Sequence, residues 1–172
     1  KDPSSSWSGS EMLHDETGKP LIRNAHKDAL LAIEKTDLSY LVETLNKLNN
    51  TGWRINQNIF EIYQKCMHLQ KTPFKFAKEV DPQKKASLLI ETEAIGKLAG
   101  RNLNNTFYHL YNVDFRGRIY PNTAYLHEQS SDNAKGLLLL DEATPLGENG
   151  FYWLCVHTAN MWGNYKGPLD ER

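Results

Sequence analysis

The sequence holds little cysteine, no long apolar run and no excess of charge of either sign, and each shortage removes a class of function. Only Cys66 and Cys155 occur among 172 residues. They form no CxxC pair and sit in no local run of His and Cys at metal-ligand spacing, so neither a zinc site nor a disulfide framework is expected and a reducing compartment fits. Apolar runs such as Gly136 to Leu140 fall far short of the roughly 20 residues that cross a bilayer, and no membrane partner is expected. Lys and Arg number 20 against 21 Asp and Glu, for a formal net charge of −1. A protein that coats nucleic acid unaided relies on surplus positive charge to displace counterions. Any nucleic-acid contact must therefore be local.

What is present reads as globular: 40% of residues are hydrophobic, 24% charged and 10% aromatic, and the length suits one domain or a segment of a larger one. Residues 1–20 are rich in Ser, Gly, Pro and charge without periodicity. They lack both the apolar stretch of a signal peptide and the Arg-rich pattern of a transit peptide, and are expected to be a flexible N-terminus or a vector-derived tail.

From Lys27, apolar residues recur at spacings of three and four (Leu30, Leu31, Ile33, then Leu38, Leu41, Val42, Leu45, Leu48). Such spacing marks one buried helix face, and Thr36-Asp37 is expected to divide it into two helices with one of the pair as N-cap. After the turn Asn49–Gly52, a second amphipathic stretch with Trp53, Ile55, Ile59, Ile62, Tyr63, Cys66, Met67 and Leu69 predicts a helix from about Asn56 to Gln70, ended near Pro73. Asp81-Pro82 has the form of an N-cap followed by proline at the first helical position, and opens a helix through Leu88, Leu89, Thr92, Ile95 and Leu98. Tyr111 to Tyr125 is richer in β-branched and aromatic residues and reads as a strand or ribbon. Beyond it come a short apolar segment, Lys135 to Asp141, a turn over Pro145–Gly150 and a helix over Phe151–Met161. Trp53 and Trp153 are read as core-filling residues. The fold class is α+β, mainly α.

Chemistry concentrates in Asp114-Phe115-Arg116-Gly117-Arg118-Ile119-Tyr120. In an extended chain, Asp114, Arg116, Arg118 and Tyr120 share one face, and the two arginines lie about 6.5–7 Å apart, near the spacing of neighbouring phosphates. The planar guanidinium donates to phosphate oxygens in pairs. Gly117 leaves room for a sugar-phosphate backbone, Asp114 can hold one guanidinium in place, and Tyr120 can stack on a base or sugar. The same residues also fit a solvated Asp-Arg pair with glycine at a bulge, and composition does not choose between the two.

The run Asn112-Val113-Asp114-Phe115-Arg116-Gly117-Arg118-Ile119-Tyr120 resembles the DxxGR motif of the single-subunit RNA polymerases of phages and mitochondria. Gln129-Ser130-Ser131-Asp132-Asn133-Ala134-Lys135-Gly136-Leu137-Leu138 is similar to the stretch that follows that motif. Gly147-Glu148-Asn149-Gly150-Phe151-Tyr152-Trp153-Leu154 with His157-Thr158-Ala159-Asn160 resembles the next helix. Upstream, Asn50-Thr51-Gly52-Trp53-Arg54-Ile55-Asn56 is similar to the family's Thr-x-Trp-(Arg/Lys)-(Ile/Val)-Asn segment. The departures are Ser130-Ser131, near where the family often has glycine, and Thr158 in place of the glycine in His-Gly-Ala-Asn.

The resemblance implies a helical part over 21–110 from the polymerase N-terminal region, then over 111–172 the DxxGR ribbon leading into the palm of a right-hand polymerase, and a helix. It implies template and RNA–DNA hybrid contacts through Asp114, Arg116, Gly117, Arg118 and Tyr120, with Arg54 and Lys135 as further nucleic-acid contacts. No catalytic residue and no metal ligand is expected in this chain: in family order the aspartates that hold Mg²⁺ and the residues that handle ribonucleoside triphosphates come after Arg172. A second subunit carrying palm and fingers is the expected partner, as in a split two-chain phage enzyme in the cytoplasm of an infected bacterium. A shortened or cleaved form of a longer polymerase is the second reading. Outside the family, the rivals are an accessory nucleic-acid-binding scaffold and a hydrolase built on His157.

Overall fold

The computed structural model describes residues 22–23, 36–69 and 73–171. The helix expected from Lys27 up to Thr36 lies outside them. The second expected helix is present as α1, Ser39–Asn49. Its N-cap position is Leu38, although Asp37 still acts at this end, its Oδ1 accepting from the backbone N–H and the hydroxyl of Ser39.

Helix α2, Gln57–Leu69, matches its predicted span, and Asn56 Oδ1 accepts from the N–H of Ile59 in the first turn. A single 3-10 turn, Lys75–Ala77, follows. Helix α3, Pro82–Arg101, opens as the Asp-Pro pair foretold: Asp81 Oδ1 accepts from the N–H groups of Gln83 at 2.9 Å and Lys84 at 3.1 Å. Two of the donors left bare at a helix start are thereby satisfied, and proline at the first position forfeits no bond.

Two small sheets complete the fold, which is α+β and mainly α. In one, β2 (Gly52–Ile55) lies between β3 (Phe107–Tyr108) and β6 (Leu138–Leu140), both antiparallel to it, with Trp53 opposite Phe107 on one side and Leu140 on the other. In the other, β4 (Tyr111–Asp114) lies between a parallel β1 (Ile22–Arg23) and an antiparallel β5 (Ile119–Pro121). Strand β2 corrects the expectation that Trp53 and Ile55 begin the α2 stretch. Gly52 suits its close packing, since a Cβ there would stand 2.9 Å from Asp141 Cβ and 3.0 Å from Thr106 Cγ2. The segment before β6 is a short helix, α4 (Asp132–Leu137).

The main core joins α2, α3, α4 and β2 through Ile55, Phe60, Tyr63, Phe74, Phe76, Ile95, Ala99, Leu126, Ala134 and Leu137. Phe74 meets Tyr63 edge-on and stacks on Phe76, and each fully buried side chain of this size contributes about 1.5–3 kcal/mol. The Tyr63 hydroxyl donates to the Thr92 carbonyl at 2.6 Å, tying α2 to α3. A smaller cluster of Leu45, Tyr111 and Val113 seats α1 on the second sheet, and the N–H of Tyr111 donates to Oδ1 of Asn49, the last residue of α1.

The chain forms two compact units, the first ending at Asp141 and the second running from Glu142. The second consists of α5, Gly147–Trp162, closed by Gly163 in the left-handed region, and a 3-10 turn, Leu169–Glu171. Helix α5 begins inside the turn predicted over Pro145–Gly150. Trp153, expected in a core, is 55% exposed, and Phe151, Met161 and Trp162 are exposed with it. The helix is apolar on too many sides for a unit this small to cover.

Candidate nucleic-acid interface

The motif segment is a hairpin, which corrects the extended strand expected from its alternation. Strand β4 ends at Asp114 and β5 begins at Ile119; Asn112 stands opposite Tyr120 and Val113 opposite Ile119. At the tip the N–H of Gly117 donates to the Asp114 carbonyl at 3.0 Å, and the N–H of Asp114 donates to the Arg118 carbonyl at 2.8 Å. Gly117 has φ +80°. This is the pattern of a tight turn followed by a glycine bulge, a connection whose twist matches that of paired strands. Its sequence requirement is an acceptor side chain at the first position and a residue free to take positive φ at the fourth. The 6.5–7 Å spacing of Arg116 and Arg118 along one strand face therefore does not apply.

Asp114 is the organiser of this turn. Its carboxylate is buried, with Oδ1 accepting from the N–H groups of Arg116 at 2.9 Å and Arg118 at 3.0 Å. Oδ2 accepts from Arg116 Nε at 2.9 Å and Nη2 at 2.8 Å. Burial pushes the Asp114 carboxyl up, but the Arg118 N–H, the Arg116 side chain and the Arg116 N–H outweigh it and hold the group below the usual carboxylate range. The Arg116 guanidinium is raised in turn by its bond to Asp114, with smaller help from Tyr120, and it lies 5.5 Å from the centre of the exposed Phe115 ring.

Arg118 is exposed, and its guanidinium forms no ion pair with a described residue. A Cβ on Gly117 would meet nothing within 4 Å, so the tip between the two arginines is open. The hairpin thus presents one cation fixed by a carboxylate and one uncommitted cation at an exposed turn.

Arg54 and Lys135 stand on other elements. Arg54, on β2, is paired with Asp141, and Lys135, on α4, approaches Asp132 at 3.4 Å. Among the described residues neither is hydrogen-bonded to the hairpin. His157 is exposed on α5 and pairs with no described carboxylate.

Sequence reading missed the group that braces the hairpin from behind. His109 is 1% exposed, stacked 5.6 Å from Trp53 and flanked by Phe107 and Tyr111. Its Nδ1 lies 3.2 Å from Glu128 Oε2. Burial pushes the His109 imidazole down, Glu128 opposes this, and His127 adds to it. Burial and then Glu128 push the Tyr111 phenol up to about 12. Phe107 and Tyr111 stand two residues to either side of His109, but Trp53 comes from β2 and Glu128 from the loop after β5, and no local spacing announces those two. Among the described residues, no group of three or more His, Cys, Asp or Glu is placed to hold a metal ion, and no helix is long and apolar enough to cross a membrane.

Comparison with known proteins agrees with the motif. No family model matches the chain. The mitochondrial DNA-directed RNA polymerase of Neurospora crassa is 33% identical over 193 aligned residues, covering 91% of this chain and 14% of that protein. The mitochondrial DNA-directed RNA polymerase of Schizosaccharomyces pombe is 29% identical, covering 82% of this chain and 15% of that protein. T7 RNA polymerase, from Escherichia phage T7, is 27% identical, covering 88% of this chain and 21% of that protein. The chain thus spans a small part of the length of these relatives, and it belongs to the single-subunit family of phage and mitochondrial DNA-directed RNA polymerases.

Proposed function

We propose that this segment serves a DNA-directed RNA polymerase by gripping the template strand and the RNA–DNA hybrid at the β4–β5 hairpin. The observation that supports this reading is the pairing of an exposed, uncommitted Arg118 with an open glycine turn whose shape Asp114 fixes. Because Asp114 fixes the backbone of the turn in advance, closing on a phosphate orders only the arginine side chain and not the loop that carries it. Arg116 adds charge beside it, Tyr120 offers a ring two residues on, and Arg54 and Lys135 act as outlying cations.

No chemical step is assigned to these residues. In this reading Mg²⁺ is held, and ribonucleoside triphosphates are handled, by aspartates and other groups outside this sequence, on a second subunit carrying palm and fingers. Mass spectrometry of the native assembly tests the arrangement: a companion polypeptide supports it, and one continuous polymerase chain refutes it. The relatives are phage and mitochondrial enzymes; of the two settings, the cytoplasm of an infected bacterium suits a split enzyme.

The hairpin's role has a direct test. In the assembled enzyme, Arg118→Ala is expected to weaken binding to a template–RNA hybrid by about 1–3 kcal/mol, the worth of a hydrogen bond to a charged group. Arg116→Ala should weaken it by as much or less, because its guanidinium is already engaged by Asp114. Unchanged hybrid affinity and unchanged elongation in both variants would refute the reading.

A further inference from the structure

Directly beside the hairpin lies an open surface cavity of about 460 Å³, which shares only Tyr120 with the grip on phosphates. Its walls include Tyr120, Asn122, Thr123, Ala124, His127 and Gln129. The volume falls within the range of sites that hold a small organic ligand, and the lining mixes one aromatic ring with several hydrogen-bonding groups.

The walls are braced. The N–H of Asn122 donates to the Leu110 carbonyl at 2.6 Å, Gln129 Nε2 donates to the Ile119 carbonyl at 3.1 Å, and Leu126 is buried in the main core. Glu128, between two lining residues, is held by the buried His109. The Gln129 N–H donates to His127 Nδ1 at 3.2 Å. In the neutral ring that leaves Nε2–H as the donor, and burial favours the neutral ring.

On the same loop Tyr125 sits at φ +67°, a conformation that costs a non-glycine residue free energy and persists only where the surroundings impose it. Strain of this kind concentrates at ligand clamps.

We propose that this cavity receives one unstacked nucleoside of the strand whose phosphates the hairpin arginines hold. Tyr120 stacks on the base, and the Thr123 hydroxyl and His127 Nε2–H meet its polar edge or its ribose. This deepens the reading of the hairpin as a nucleic-acid grip and rests on it. Arg118 directly precedes β5, the strand that carries Tyr120, and the Tyr120 side chain interacts with the Arg116 guanidinium, so a backbone held by the arginines brings the adjoining nucleoside to the Tyr120 ring.

The test uses the assembled polymerase and single-stranded DNA and RNA oligonucleotides, each carrying one 2-aminopurine at a successive position. A fluorescence change confined to one position is expected on binding. Ala124→Phe, which fills the cavity from an exposed site, should abolish that change and weaken binding about tenfold, the scale of a lost base stack. Thr123→Val should give a smaller loss without altering thermal stability. A preference for the RNA series would assign the nucleoside to the transcript, and for the DNA series to the template. If Arg118→Ala weakens binding while no position responds, or Ala124→Phe leaves the response intact, the cavity proposal is overturned and the backbone grip stands. If Arg118→Ala leaves affinity unchanged while the localised response persists and is lost in Ala124→Phe, the grip fails and the nucleoside site remains.

Discussion

Gly117 decides the shape of the hairpin, because at φ +80° any side chain meets the backbone repulsion that confines L-residues to negative φ. Open space around it gives no relief, since the conflict is with its own chain. Gly117→Ala is expected to destabilise the protein by roughly 1–2 kcal/mol, read from denaturant unfolding. An unchanged midpoint would mean that the turn can re-form in another shape. His109 makes a second residue-scale prediction, through pH. Its folded imidazole is held below the ordinary value of 6.5, chiefly by burial, so the unfolded chain takes up the proton first as pH falls. Stability is then fully present above about pH 6.5 and declines as pH drops toward the depressed folded value. Melting temperatures measured between pH 7.5 and 5 should fall in the wild type and fall less steeply in His109→Gln. His127 titrates in the same direction and leaves part of the slope. Equal slopes in the two proteins would remove His109 from the account.

At the scale of elements, α3 shows how a short signal commits a long helix. Asp81→Ala removes the acceptor for two first-turn N–H groups and should cost about 1 kcal/mol, seen as a lower midpoint with an unchanged denaturant slope. Asp81-Pro82 was legible because cap chemistry is local, and α1 and α2 were legible because a buried helix face repeats every three to four residues. Strand β2 was not legible: Trp53 and Ile55 fall in step with the apolar residues of α2, and what makes them a strand is pairing with Phe107 and Leu138–Leu140, far away in sequence. Helix α4 is six residues long and contains Gly136, too short for a period to show. For the hairpin, alternation of Asp114, Arg116, Arg118 and Tyr120 suggested a straight strand, while the acid and the glycine three positions apart carried the turn signal that prevailed. The hairpin residues are therefore neighbours in space, as read, and a turn rather than a line. The His109 brace was invisible, since Trp53 and Glu128 reach it from distant parts of the sequence.

At the scale of the whole molecule, apolar surface exceeds what these residues cover. Phe151, Trp153, Met161 and Trp162 on α5 are each more than half exposed, a density that soluble monomers seldom show. The chain produced alone should self-associate at micromolar concentration, seen as concentration-dependent light scattering, and Trp153→Lys with Trp162→Lys should suppress this with little change in melting temperature. Monomeric behaviour of the unaltered chain at high concentration would contradict it. The place of β2 in its sheet has a consequence for biosynthesis. It is the middle strand, yet β2 is made before either neighbour, and its second partner is complete only at Leu140. On the ribosome the edge of β2 that faces β3 therefore waits through the translation of about fifty further codons and the edge that faces β6 through more than eighty, open to mispairing, and a nascent chain paused before Leu138 is the species a holding chaperone would meet.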